Sequence, residues 1–303
     1  MQITGNSSAP RFRGRRSGGQ ASHTMTVHES ALREHIFTGD QFPVLVKRFE
    51  GGAGYRPTAF CHSEMEFQLI CNGEGDYFIK DRLYHFAKNS VLLIQRDEVH
   101  SRMPGSCLLA SRINLIVGTG IVTQDPAVEE MVSSLAGCHH LVLQDKDAVL
   151  ARMLLEDISA ESREKGPYWK RVVEADICKF LTILHRSSLV DSAEHSELNP
   201  TIKRVLDHLN SDFTSHISLD ELSARFYQSK YWLSRQFKAQ TGITIMEYVI
   251  VKRIALARHL LEVTDMKVAA IATSVGFDDI STFNRDFKAR TGVTPSDYRK
   301  ISA

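Results

Sequence analysis

Three residues of this chain have side chains suited to coordination chemistry: His62, Glu66 and His100. Two imidazoles and one carboxylate form a donor set that could bind Fe(II) or Zn(II). His62 and Glu66 stand four apart in His62-Ser-Glu-Met-Glu66, and His100 lies at the end of a later strand. Histidines at strand ends more commonly line a hydrogen-bonding pocket, so neither a metal nor a cofactor is expected. Alternation adds Phe60, Phe67 and Tyr77 to give six candidate residues for an organic-effector pocket. No nucleotide-binding loop and no nucleophile–base spacing is found, so no catalytic residue is named.

A second set of residues suits nucleic acid. The ten residues from Arg235 to Thr244, RQFKAQTGIT, recur fifty positions later as RDFKARTGVT, Arg285 to Thr294, and Tyr248 recurs as Tyr298. Such self-similarity marks one structural unit written twice. Each copy reads as a short basic helix that stops at a Thr-Gly turn. In the first, Tyr231, Ser234, Arg235 and Lys238 lie on the face opposite Phe237 and either Trp232 or Leu233. In the second, Ser281, Asn284, Arg285 and Lys288 lie opposite Phe283 and Phe287. An exposed arginine can bind guanine, and an asparagine adenine, with two hydrogen bonds each. The lysines suit phosphate.

These helices need supports. Ser218-Leu-Asp-Glu221 is a capping box opening a helix over SLDELSARF, and Gln228-Ser229 breaks it. VAAIATSV supports the second copy, with Gly276 supplying the turn. ITIMEYVIVKRIALARHLLE reads as one amphipathic rod of about 27–30 Å between the copies. That length can set two reading helices about one DNA turn apart.

Upstream, FPVLVKRF, EFQLI, DYFIK, SVLLI and LLASRINLIV are short apolar strands separated by the turns GGAG (51–54), NGEG (72–75) and AKNS (87–90). They predict a small barrel or sandwich. Helical spacing begins at Asp125-Pro126. A second helix opens at Asp145, with Ala148, Val149, Met153, Leu154 and Ile158 as its stripe. A third opens at Pro167, with Val173, Ile177, Phe180, Leu181 and Leu184. Residues 187–200 are polar and read as a connection between domains.

Charge divides the same way. Residues 199–303 carry 15 Lys and Arg against 11 Asp and Glu, whereas residues 25–198 carry 18 against 25. A basic end on an acidic body fits a DNA-binding module joined to a part that avoids phosphate. Residues 1–24 read as a disordered basic tail without the apolar core of a signal peptide. The five scattered cysteines support neither a disulfide framework nor a zinc ribbon, which favours a cytoplasmic protein.

The run LSRQFKAQTG…ARHLLE…IATSVGFDDISTFNRDFKARTGVTPSDYR, within about residues 200–300, resembles the signature of AraC/XylS transcription regulators. The resemblance implies base contacts from Tyr231, Ser234 and Arg235, and from Ile280, Ser281, Asn284 and Arg285. Ile280 replaces a polar residue of some members and offers only apolar contact. With Asp278, Asp279 and Asp286 nearby, the second unit is expected to bind more weakly. The upstream half resembles a cupin barrel, in which His62, Glu66 and His100 occupy three of four metal-ligand positions and Phe60 the fourth. Asn89-Ser90 stands where a Gly-Asp is usual.

The expected fold is α+β and multidomain: a cupin-like β-barrel with dimerisation helices, then an all-α double helix-turn-helix domain. The boundaries are 1–24 for the tail, 25–190 for the effector-binding and dimerisation domain, 191–200 for the linker and 201–303 for the DNA-binding domain. The implied function is a sequence-specific transcriptional regulator that senses a small molecule. Its implied partners are promoter DNA, an effector, a second copy of itself and RNA polymerase, with no membrane. Two alternatives stand beside it: a constitutive DNA-binding protein whose barrel only dimerises, and a metal-dependent cupin enzyme on a DNA tether.

Overall fold

The computed structural model describes residues 42–50, 59–103, 111–122, 125–188 and 195–302. The basic tail, the GGAG turn, Cys107 and residues 191–194 of the expected linker lie outside the described residues. Seven strands come first: β1 (Val44–Glu50), β2 (Met65–Asn72), β3 (Gly75–Ile79), β4 (Arg82–Phe86), β5 (Ser90–Ile94), β6 (His100–Arg102) and β7 (Ser111–Val117). Then follow α1 (Thr119–Val122), α2 (Pro126–Ser134), β8 (His140–Val142), α3 (Asp145–Glu164), α4 (Trp169–Ser188) and β9 (His195–Ser196). The strands form two antiparallel sheets, ordered β1-β7-β2-β5-β8 and β6-β3-β4-β9.

Alternation along β2 sets the layers. Met65, Phe67 and Leu69 join the core shared with α3 and α4, and Ile70 packs between the sheets with Tyr77, Tyr84 and Phe86. Glu66 and Gln68 share the face of Ile70. The outer face of the second sheet is covered differently. Phe78 and Leu83, with Ala59, Cys61, Val99 and Met103, pack on the first helices of the C-terminal half.

That half comprises α5 (Pro200–Asp212), α6 (Leu219–Phe226), α7 (Lys230–Thr241), α8 (Ile245–Val263), α9 (Val268–Ser274), α10 (Ile280–Thr291) and α11 (Pro295–Ser302). The capping box of α6 is formed in both directions. The repeated residues are largely a folding signature. Thr241 and Thr291 donate back to the carbonyls of Phe237 and Phe287 at 2.8 and 2.9 Å. Gly242 and Gly292 end their helices at φ +80° and +85°. Tyr248 and Tyr298 meet Phe237 and Phe287 edge to face, with ring centroids 5.9 and 5.5 Å apart.

Several expectations are corrected. The third helix begins at Trp169 rather than Pro167, because Tyr168 takes a left-handed conformation at φ 62°. Val149 and Met153 lie exposed, and the buried stripe of α3 is Ala148, Ala151, Leu154, Leu155 and Ile158. The connection between the halves is partly structured. α4 runs to Ser188, His195 and Ser196 pair with Tyr84 and Leu83 of β4, and Asn199 caps α5. Helices α5 and α11 add to the expected set.

Candidate effector pocket and nucleic-acid interface

Paired backbones bring the pocket residues together. Phe60 and His100 exchange two backbone hydrogen bonds, at 2.9 and 3.0 Å, and this places His62 beside the start of β6. The Nδ1 atoms of His62 and His100 bond the backbone carbonyls of Glu64 and Glu98, each at 3.0 Å. Their Nε2 atoms lie 3.1 and 3.4 Å from the same oxygen, Glu66 Oε2. Glu66 Oε1 accepts from Asn114 Nδ2 and, at 3.2 Å, from Gln68 Nε2, which also reaches the Tyr77 hydroxyl at 3.0 Å. The His62 and His100 rings stand 5.0 Å apart, and Tyr77 stacks on His100 at 6.2 Å.

The cluster is buried, and its electrostatics follow from that. Burial alone would raise the Glu66 carboxyl, but hydrogen bonds from His100 and His62 outweigh it and hold the group well below the usual carboxylate range. Burial alone would lower His62, but its hydrogen bond to Glu66 and the charges of Glu66 and Glu64 raise it. Burial also lowers the ammonium of Lys47, with Glu66 partly offsetting this.

Of the six pocket candidates, Phe60, His62, Glu66, Tyr77 and His100 converge. Phe67 does not: it points through the other face of β2 and meets Phe180 edge to face at 5.7 Å. Sequence reasoning missed Gln68, Arg112 and Asn114. The signal was present, since Arg112 and Asn114 interrupt the apolar run of β7 every second residue. Arg112 is buried with its guanidinium 4.4 Å from the centre of the Phe49 ring. Among the described residues, Arg112 Nε, Gln68 Oε1 and Asn114 Oδ1 have no hydrogen-bond partner. Buried polar atoms of this kind suit a polar ligand.

As a cupin metal site, the residues fit in three of four positions. Phe60 supplies no donor, and its ring packs 5.8 Å from that of His100. Asn89 takes a left-handed conformation at φ 70° and anchors on Asp145 at 2.8 Å, so it fills the turn role of a glycine.

The two reading helices match position for position. On α7, Tyr231, Ser234, Arg235 and Lys238 are exposed while Leu233 and Phe237 are buried; on α10, Ile280, Ser281, Asn284, Arg285 and Lys288 are exposed while Phe283 and Phe287 are buried. The rod between them, α8, has 19 residues and spans about 28 Å. The surfaces differ in charge. Arg285 is engaged by Asp286 at 3.1 Å, whereas Arg235 has no ion pair among the described residues. Ser229 caps α7 with a neutral hydroxyl and Asp279 caps α10 with a carboxylate. Hydrogen bonds from Thr282 hold that carboxylate below its usual range, so it stays charged. Tyr227, at φ 54° and highly exposed beside α7, was not foreseen, because a tyrosine in that conformation leaves no turn signature.

Comparison with known proteins places both halves. Residues 222–301 match a family described as a helix-turn-helix domain, and residues 43–107 match an AraC-like ligand binding domain. The HTH-type transcriptional activator RhaR of Escherichia coli (strain K12) is 26% identical over 280 residues, covering 90% of this chain and 96% of that protein. The crystal structure of ToxT from Vibrio cholerae shares 16% identity over 86% of this chain and 97% of its own, with a TM-score of 0.37. The DNA-binding domain of AdpA, in complex with a target DNA, shares 27% identity over 34% of this chain and 91% of its own, with a TM-score of 0.31. Among the described residues no helix is long and apolar enough to cross a membrane.

Proposed function

The chain belongs to the AraC/XylS family of transcriptional regulators, and on that premise we propose that α7 and α10 read promoter DNA while the barrel binds a small polar effector. The observation that carries this reading is the matched exposure of the two helices across a 19-residue rod. Arg235, Ser234 and Tyr231 supply the main base contacts, Arg285, Asn284, Ser281 and Ile280 the weaker set, and Lys238 and Lys288 bind phosphate. Phe60, His62, Glu66, Tyr77 and His100, joined by Gln68, Arg112 and Asn114, form the effector pocket. Its unmatched buried donors and acceptors favour a ligand rich in hydrogen-bonding groups over an apolar one.

Effector binding favours one of two pre-existing dockings of the DNA-binding half on the second sheet. The exposed apolar residues Val149, Met153 and Val172 on α3 and α4 suit pairing with a second copy, which raises the effective concentration at paired half-sites. One relative is named a transcriptional activator, and in this reading the promoter-bound protein recruits RNA polymerase in the cytoplasm. The pocket serves binding rather than turnover.

The test is affinity for DNA fragments selected by the wild-type protein from its native genome. Arg235→Ala and Arg285→Ala are each expected to weaken binding, with the loss at Arg235 in the range of about 1–3 kcal/mol and the loss at Arg285 smaller. Unchanged binding in both variants would overturn the reading. A larger loss at Arg285 would overturn the asymmetry.

A further inference from the structure

We propose that His62, Glu66 and His100 together hold a divalent first-row transition-metal ion inside the barrel. The inference adds to the effector pocket assigned above and rests on that reading only for its location.

The tautomers come first. A carbonyl oxygen only accepts hydrogen bonds, so each Nδ1 that meets the carbonyl of Glu64 or Glu98 at 3.0 Å carries a hydrogen. On a neutral ring this leaves Nε2 as a lone pair, and both Nε2 atoms face one carboxylate oxygen. Fixing the far nitrogen on a carbonyl is how proteins orient a metal-binding histidine.

The spacing comes next. With metal–ligand bonds of about 2.1 Å, neighbouring donor atoms stand about 3.0 Å apart at a right angle and about 3.4 Å apart at the tetrahedral angle. The two Nε2 atoms lie 3.1 and 3.4 Å from Glu66 Oε2. All three donor atoms lie within 4.8 Å of one another, and all three residues are buried. The carboxylate is also positioned for the task. Asn114 and Gln68 occupy Oε1, which leaves Oε2 as the atom shared with the imidazoles.

Two nitrogens and one oxygen suit zinc, cobalt(II), iron(II) or nickel(II) rather than magnesium or calcium, which take oxygen ligands. Three protein ligands leave coordination positions open, as in sites where a small molecule completes the shell. Phe60 removes the fourth protein donor that would close the site. An effector bearing a carboxylate or adjacent hydroxyls would bind the metal directly. The competing occupant of the same point is a pair of protons, one on each imidazole, bridging to Glu66.

The test uses the full chain, stripped with a chelator and titrated with cobalt(II) at neutral pH, read by calorimetry and by visible absorption. The expected result is one cobalt per chain, with absorption bands of a site of low symmetry. Glu66→Gln and His100→Gln each delete a direct ligand and are expected to weaken cobalt binding by at least the factor of about 10–100 that loss of an outer-shell partner costs. His85→Gln, at an exposed histidine, should leave it unchanged. A readout on the unaltered chain guards against variants that fail to fold: the cobalt protein should show two paramagnetically shifted, exchangeable Nδ1–H proton resonances. Substoichiometric cobalt overturns the proposal, as does stoichiometric cobalt without those resonances or unaffected by both folded variants. Failure of both Arg235→Ala and Arg285→Ala to alter DNA affinity would sink the regulatory reading and leave the cobalt result standing.

Discussion

Burial against a single neutral partner governs the behaviour of His140. Its Nε2 lies 2.9 Å from Ser90 Oγ and its ring 6.3 Å from that of Tyr84. Burial, with a smaller push from His85, lowers its pKa to about 4. The unfolded chain takes up a proton near the ordinary value of about 6.5, while the folded chain resists until about 4. The stability tied to this residue is therefore present above pH 6.5 and lost as pH falls towards 4. Linkage puts the loss between about pH 7.5 and 5 at about 2 kcal/mol. His62, whose pKa is raised, has the opposite sign, its contribution fading as pH rises through the folded value. It is present in the wild type and the variant alike and cancels in their difference. His140→Gln keeps a polar group for Ser90 and removes the titration. Urea unfolding at both pH values should show the wild type losing about 2 kcal/mol more than the variant on acidification; equal losses would refute the assignment.

At the scale of elements, the second helix-turn-helix is fixed to the first through its turn. Gly276 stands at φ +96°, and a Cβ there would lie 2.4 Å from the Thr214 carbonyl oxygen and 2.9 Å from its carbon. Arg253 of α8 holds the same loop, donating to the carbonyls of Phe213 and Ser215 at 2.7 Å. Gly276→Ala should therefore cost about 3 kcal/mol or more, combining the backbone penalty with displacement of that loop. Gly137, at φ +82° with nothing within 4 Å of a built Cβ, is the control, and Gly137→Ala should cost only about 1 kcal/mol. Equal losses of denaturation free energy would remove the packing argument. Gly276 was legible because a glycine between two short helical runs marks a turn that needs a positive φ, and α8 because long apolar periods resist misreading. The strands β8 and β9, with three and two residues, show too little alternation to be read. The pocket was half legible. His62, Glu66 and His100 declare themselves by type, whereas Phe67 was assigned to the wrong face because strand register is a tertiary property.

At the scale of the molecule, the pocket and the DNA-binding half meet through adjacent residues. Arg258 of α8 is buried, donating to the Cys61 carbonyl at 3.4 Å, to Ser63 Oγ at 3.5 Å and to the Tyr298 hydroxyl at 3.2 Å, with the Glu64 carboxylate 3.8 Å away. These contacts bracket His62. Beside His100, Ser101 donates to the Thr241 carbonyl, and Gly242 is pressed against Arg102 and Met103. Arg290 and Glu247 reach Ala59 at 3.3 and 3.5 Å. The residues that flank each pocket histidine therefore touch α8 or the end of α7 directly. Removing one member of a buried charged cluster typically costs about 3–5 kcal/mol, because its partners remain buried. Arg258→Met keeps the apolar stem and deletes the guanidinium, so its cost falls on the docking of the halves and on the bond to Tyr298 within the DNA-binding half. The two tryptophans report each half separately, Trp169 on α4 and Trp232 on α7. With Trp232→Phe the fluorescence follows the barrel half, and with Trp169→Phe it follows the reading helices. In chains that retain Arg258, both signals should share one urea midpoint, as expected of a cooperative unit. In the Arg258→Met background the two midpoints should separate. Coincident midpoints in both backgrounds would mean that Arg258 does not couple the pocket to the DNA-binding half.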